Sequence, residues 1–243
     1  MLKATAIDWI EKNQKRVIAL SDRIWELAEV GLQEYESSVL LADELQKAGF
    51  KVRKAVVDMP TAFVATYGRS KPVIGIMGEY DALPGISQKP IPRREPLIPG
   101  APGHGCGHNI HGTSGVAAAI AVKAAMKTQK LEGTIKFFGC PAEETLVGKV
   151  FMARDGIFRG VDAVLSHHPG RMNAACLISS NAMNSVKFHF QGKASHAGGS
   201  PEQGRSALDA VELMNIGVNY LREHIIQEAR IHYVIEEGGH EPN

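Results

Sequence analysis

Four short stretches of this chain carry side chains that bind metal ions or move protons. GHGCGHNIHG packs His104, Cys106, His108 and His111 into eight residues. Its glycines let side chains two apart turn toward one centre, which a continuous helix forbids. A thiolate with imidazoles suits zinc or a similar divalent ion. CPAEET places adjacent carboxylates, Glu143 and Glu144, directly after the strand-like TIKFFG. Such a pair can divide labour, one carboxylate holding a metal while the other takes a proton from a metal-bound water. AVLSHHPG adds His167 and His168, and GEYDALP adds Glu79 and Asp81, each after an apolar run. Asp81 is of the right type to hold a ligand histidine in one tautomer. GKASHAGGSPEQG carries His196 in a loop of small residues, a setting for donating to the oxyanion formed when an amide is attacked.

Each stretch also has a plainer reading: an exposed Gly-rich turn, a solvated acidic turn, a core histidine, a loop histidine. Their common placement favours one shared site, because ligands in open α/β sheets bind outside the carboxyl ends of strands. Cys106 leaves a different chemistry open, a thiol nucleophile with a nearby histidine as base.

The elements that must position these groups follow from periodicity. Ile7, Ile10, Val17, Ile24 and Leu27 recur at helical spacing, and SSVLLADELQKAG predicts a second helix with Ser37 or Ser38 as its cap and Gly49 at its end. FKVRKAVV, AFVATYG and VIGIMG have strand character. Six of the twelve prolines lie between Pro84 and Pro102, so that stretch is a loop. GVAAAIAVKAAMK predicts a closely packed helix, TIKFFGC a strand, VGKVFMARDGIF a helix and AVLSHH a strand. This alternation predicts an α/β fold with a mostly parallel sheet. Beyond residue 184 the order is strand (SVKFHFQG), helix (ALDAVELMNIGVNYLREHI) and strand (ARIHYVIEE). That β-α-β unit is too small to bury both faces alone and reads as part of a second domain.

Composition narrows the function classes. In 243 residues the apolar share is 44% and the charged share 22%, which fits a globular chain with a substantial core. Lys plus Arg number 27 against 26 Asp plus Glu, a net charge of +1, so the basic surplus of a nucleic-acid binder is absent. No run approaches the ~18 apolar residues of a membrane helix. Cys106, Cys140 and Cys176 contain no CxxC pair and do not suggest a disulfide scaffold. The expected compartment is the cytoplasm.

GEYDALPG, GHGCGHN, PAEE, the histidine before Pro169 and KASHAG, in that order, resemble the M20 metallopeptidase and amidohydrolase family. Within it they resemble the aminoacylase-like branch that includes aminobenzoyl-glutamate hydrolases. The resemblance implies an aminopeptidase-like (phosphorylase/hydrolase-like) catalytic domain over residues 1–184 and the first half of a ferredoxin-like lid or dimerisation domain over 185–243. Family members continue further, complete the lid and supply another histidine ligand, so it also implies a chain lacking that remainder. It makes Cys106, His108, Glu144 and His168 metal ligands, with His167 a bystander. It makes Glu143 the general base, Asp81 a residue behind the ligands, and His196 a lid histidine that reaches a partner's active site in family dimers. The implied cofactor is a divalent metal, two ions of zinc or manganese. Many members of the branch carry Asp where Asn109 stands, so a second ion would be held differently here. The implied substrate is a small N-acyl or N-aroyl amino acid such as p-aminobenzoyl-glutamate. The implied partner is a second copy or a related subunit, with no nucleic acid and no membrane. The alternative is an inactive shortened remnant that binds metal or a partner without turnover.

Overall fold

The computed structural model describes residues 2–175 and 179–240. Cys176 and residues 241–243, the end of EEGGHEPN, fall outside them. The chain divides into two compact units, Met1–Ala174 and Ala175–Asn243.

The first unit opens with helix α1 (Leu2–Leu27) and helix α2 (Tyr35–Lys47). Of the apolar stripe expected on α1, Ile24 is buried while Ile7 and Ile10 stay largely exposed. Ser37 and Ser38 do not cap α2, because Glu34 precedes the first helical residue. The Glu29 carboxylate takes that role, accepting from the backbone N–H groups of Glu36 (3.0 Å) and Ser37 (2.8 Å). An anion on otherwise unpaired N–H groups is the favoured arrangement at a helix start. Gly49, at φ +82°, ends α2 as expected. Its N–H reaches the Gln46 carbonyl and the N–H of Phe50 reaches that of Leu45, at 2.8 and 3.0 Å.

Five strands follow: β1 (Lys51–Lys54), β2 (Phe63–Gly68), β3 (Val73–Glu79), β4 (Thr134–Cys140) and β5 (Ala163–Leu165), in the spatial order β1-β2-β4-β3-β5. The pairs β3–β4 and β3–β5 are parallel, whereas β1–β2 and β2–β4 are antiparallel. The mostly parallel sheet is thus corrected to a mixed one. Residues 55–62 link β1 to β2, fewer than the dozen or so that a parallel crossover needs. Between β3 and β4 the chain has room for helix α3 (His108–Gln129), and helix α4 (Gly148–Arg154) follows β4.

Side chains alternate across the strands into two cores. Phe63, Ile135 and Phe137 pack with Leu41, Leu45, Val116 and Ile120 on one face. Val64, Phe138 and Cys140 pack with Val56, Met59 and Met152 on the other. The Pro-rich stretch before α3 contains no helix or strand and is closed by mutual backbone bonds of Leu83 and Gly103 at 3.0 and 2.9 Å. No helix among the described residues is long and apolar enough to cross a membrane.

In the second unit the expected helix forms as α5 (Ala207–Leu221), with Ser206 Oγ accepting from the N–H of Asp209 at 3.0 Å. The two expected strands do not form a ladder among the described residues. Their segments do approach: Lys187 pairs with Glu236 at 3.0 Å, and just before them Asn181 donates to the Glu228 carbonyl at 3.4 Å. Val186 and Phe188 nevertheless stay 63% and 64% exposed, and α5 buries no residue. Without an apolar layer beneath them, a pair of strands has little to hold its register.

Candidate metal centre

The carboxyl ends of β3, β4 and β5 and the first turn of α3 supply the site in the first unit. Gly107, at φ +83°, precedes α3 and separates Cys106 in the loop from His108 at the head of the helix. Only the first part of GHGCGHNIHG is loop: His108 and His111 lie on α3, and the break at Gly107 turns Cys106 and His108 to one centre.

Cys106 Sγ lies 3.3 Å from His168 Nε2, which lies 3.4 Å from His108 Nε2. The three donor atoms all fall within 4.8 Å of one another. Metal bonds of 2.0–2.3 Å at tetrahedral angles would set neighbouring donors ~3.3–3.6 Å apart, the spacing of His168 from each of the other two. His108 Nδ1 faces two acceptors of Asp81, Oδ1 at 2.9 Å and the backbone oxygen at 3.1 Å. That ring nitrogen therefore carries the proton as a donor, which leaves Nε2 to the cluster.

Glu79 Oε2 is 3.1 Å from His108 Nε2 and 3.0 Å from His111 Nδ1, and Lys149 pairs with the other oxygen. Glu143 Oε2 lies 3.8 Å from His108 Nε2, so Glu79, His108 and Glu143 form a second group of donors. The backbone N–H of Glu144 donates to Asp81 Oδ2 at 2.8 Å. Glu144 falls in neither group of converging donors, and its Oε1 is buried with no hydrogen-bond partner among the described residues.

His167 is in neither group of converging donors; its Nε2 lies 2.9 Å from Ser114 Oγ. Asn109 donates to Ser21 Oγ of α1 at 3.1 Å, and His104 Nε2 meets the Ile24 carbonyl oxygen at 3.1 Å. His196 belongs to the second unit, where its Nδ1 accepts from the N–H of Gly198 at 3.0 Å.

Charge in the site is tightly balanced. Burial opposes ionisation of Glu79, but His108, His111 and Lys149 outweigh it and hold the carboxyl well below the usual carboxylate range. Burial also opposes a charged His108, yet its bonds to Asp81 and Glu79 raise it to about 10. Burial, then Glu144 and Glu143, push the Cys106 thiol up to about 11. That counts against a thiolate nucleophile, since this sulfur ionises only when a cation offsets the acids around it.

Two polar residues escaped the sequence reading. Lys149 neutralises Glu79 from α4, and the buried Glu34 accepts from the N–H of Ala142 at 2.7 Å. Lys149 follows Glu143–Glu144 closely enough to have been suspected; Glu34 sits in no stretch that hints at chemistry.

One p-aminobenzoyl-glutamate hydrolase subunit from Escherichia coli (strain K12) is 46% identical over 242 residues, 97% of this chain and 50% of that relative. A second p-aminobenzoyl-glutamate hydrolase subunit from the same organism is 31% identical over 191 residues, 74% of this chain and 43% of that relative. Among solved structures, the Bacillus subtilis YXEP protein, a dinuclear metal binding peptidase from the M20 family, aligns with a TM-score of 0.53 at 28% identity, over 63% of this chain and 42% of that one. The chain spans about half the length of the curated relatives it matches. The family match runs over residues 75–239 and takes in the segments of Glu79 and Asp81, Cys106 and His108, Glu143 and Glu144, and His168; the chain belongs to peptidase family M20/M25/M40.

Proposed function

We propose that the protein is a metal-dependent amidohydrolase that cleaves the amide bond of N-acyl or N-aroyl amino acids. The observation that carries this reading is the convergence of Cys106, His108 and His168 within 4.8 Å. A thiol, two imidazoles and the unpartnered oxygen of Glu144 suit a divalent ion, and these four residues would hold it. Zinc and manganese are the candidates, and the sulfur favours zinc. A second ion belongs to this reading, with Glu79 of the second donor group as a further oxygen and Asn109 committed to Ser21. Bound there, the metal supplies Lewis acidity that polarises the scissile carbonyl and lowers the pKa of water from 15.7 toward ~7.

The chain's own residues do the rest. Glu143, its side chain 30% exposed, is the general base that takes the proton of the attacking water and returns it to the leaving nitrogen. Asp81 keeps His108 Nδ1 protonated and its ring oriented. His196 donates to the tetrahedral oxyanion, from this chain or from a partner. The names of the two relatives make p-aminobenzoyl-glutamate the first substrate to test, with p-aminobenzoate and glutamate as products. They also make a second copy or a related subunit the partner to look for. We assign residues 1–184 to the catalytic domain and 185–243 to the first half of a ferredoxin-like lid, in a cytoplasmic protein.

The test strips the purified protein with a chelator, restores zinc or manganese, and assays p-aminobenzoyl-glutamate. Turnover should vanish with the ion and return with it. Turnover indifferent to the chelator refutes the proposal, as does a metal-loaded protein without turnover on N-acyl amino acids. The latter result is the behaviour of a remnant.

A further inference from the structure

We infer that the connection between α1 and α2, residues 28–34, positions the loop carrying Glu143 and Glu144, with Glu34 as its principal contact. The inference rests on reading that pair as base and metal ligand. Glu34 is fully buried, and its Oε1 accepts from the N–H of Ala142 at 2.7 Å. Ala142 immediately precedes Glu143 and sits at φ +53°, a left-handed backbone that a non-glycine residue keeps only when its surroundings hold it. Gly31 of the same connection lies against the same loop: a Cβ there would stand 3.1 Å from Ala142 Cα and 3.4 Å from Thr145 Oγ1.

The connection also grips the loop of Asp81. The Glu29 carbonyl accepts from the N–H of Ala82 at 2.7 Å, and Val30 bridges to Ala82. Asp81 in turn accepts from the Glu144 N–H, so both acidic loops are tied to this one segment and to each other. Glu34 appears in neither group of converging donors and acts through Ala142, which makes it a positioning residue. Misplacing a reacting group by about 1 Å can cost ~10²-fold in rate.

The experiment compares the wild type with Glu34→Ala, Glu34→Gln and Gly31→Ala. It measures kcat and KM for p-aminobenzoyl-glutamate, zinc affinity of stripped protein by calorimetry, and melting temperature. Glu34→Ala should lower kcat by ~10- to 100-fold with KM within about threefold. It should weaken zinc binding by ~10-fold through Glu144. Glu34→Gln keeps an acceptor oxygen and should restore most of both. Gly31→Ala keeps Glu34 but crowds the loop, and should lower kcat and zinc affinity with near-normal melting. Wild-type kcat and zinc affinity in Glu34→Ala would overturn the inference, as would a folded Glu34→Gln no better than Glu34→Ala. If Glu34→Ala does not fold, wild-type values in Gly31→Ala overturn it. A wild type that binds zinc without turnover fails the hydrolase reading alone, and the zinc affinities still decide the role of Glu34.

Discussion

At the scale of single residues, the roles proposed for Glu143 as base and for the metal ligands can be separated by substitution. Glu143→Ala should reduce turnover by ~10² to 10⁴ while bound metal, measured by elemental analysis, stays near wild type. Loss of metal without a kinetic defect would move Glu143 out of the base role. The ion-free site makes a second prediction. His108 is raised from 6.5 to about 10, so its charge adds stability that is complete below the unfolded value and disappears as pH rises through the folded one. Glu79 works oppositely: its lowered pKa adds stability above the ordinary glutamate range, lost as pH falls toward its folded value. Chelator-treated protein should therefore melt at lower temperature at pH 9.5 than at pH 6.5, and a flat or rising melting curve would contradict the pairing. Because the His108 and Cys106 protons must leave to admit a cation, zinc affinity should strengthen over the same pH range.

At the scale of elements, Gly107 is the joint on which the centre depends. A Cβ there would face φ +83° and lie 3.0 Å from Pro169, beside His168. Gly107→Ala should destabilise the protein by about 1–2 kcal/mol and weaken zinc binding, checked by denaturant melts and calorimetry. Wild-type affinity in a folded variant would show that the spacing of Cys106, His108 and His168 tolerates this shift. The chemistry of these loops was legible in sequence because thiol, imidazole and carboxylate stand out among small residues at the ends of apolar runs. Asp81, Glu143, Glu144 and His168 follow strand ends, while Cys106 and His108 stand in the Gly-rich turn into α3. Glu34 was not legible, since a glutamate before a helix ordinarily reads as a solvated cap, and only the packed structure shows it buried against Ala142. The mixed sheet was written in the short link between β1 and β2, although the alternation of strands and helices pointed toward parallel pairing. The strands of the second unit carried a clean period of two, but a ladder also needs a surface to bury, and Val186 and Phe188 find none among the described residues.

At the scale of the whole molecule, stability is unevenly spread. The first unit holds both apolar cores, whereas α5 buries no residue and Leu213, Ile216 and Tyr220 are exposed. Limited trypsin digestion should cut within residues 179–240 first, near Arg222 and Arg230, and leave the Met1–Ala174 unit protected. Early cleavage inside α3 or β4 would show the reverse ranking. The geometry of the centre bears on folding as well. Cys106 and His168 are 62 positions apart in the chain, yet their donor atoms stand 3.3 Å from each other. An ion gripped by both would be a reversible rivet across that span, bound more tightly by the native chain than by an unfolded one. At a thousandfold excess over its dissociation constant it would add about 4 kcal/mol to stability. Melting temperature should therefore climb with free zinc. On the proposed reading, starving the protein of metal would loosen the fold and silence the chemistry together.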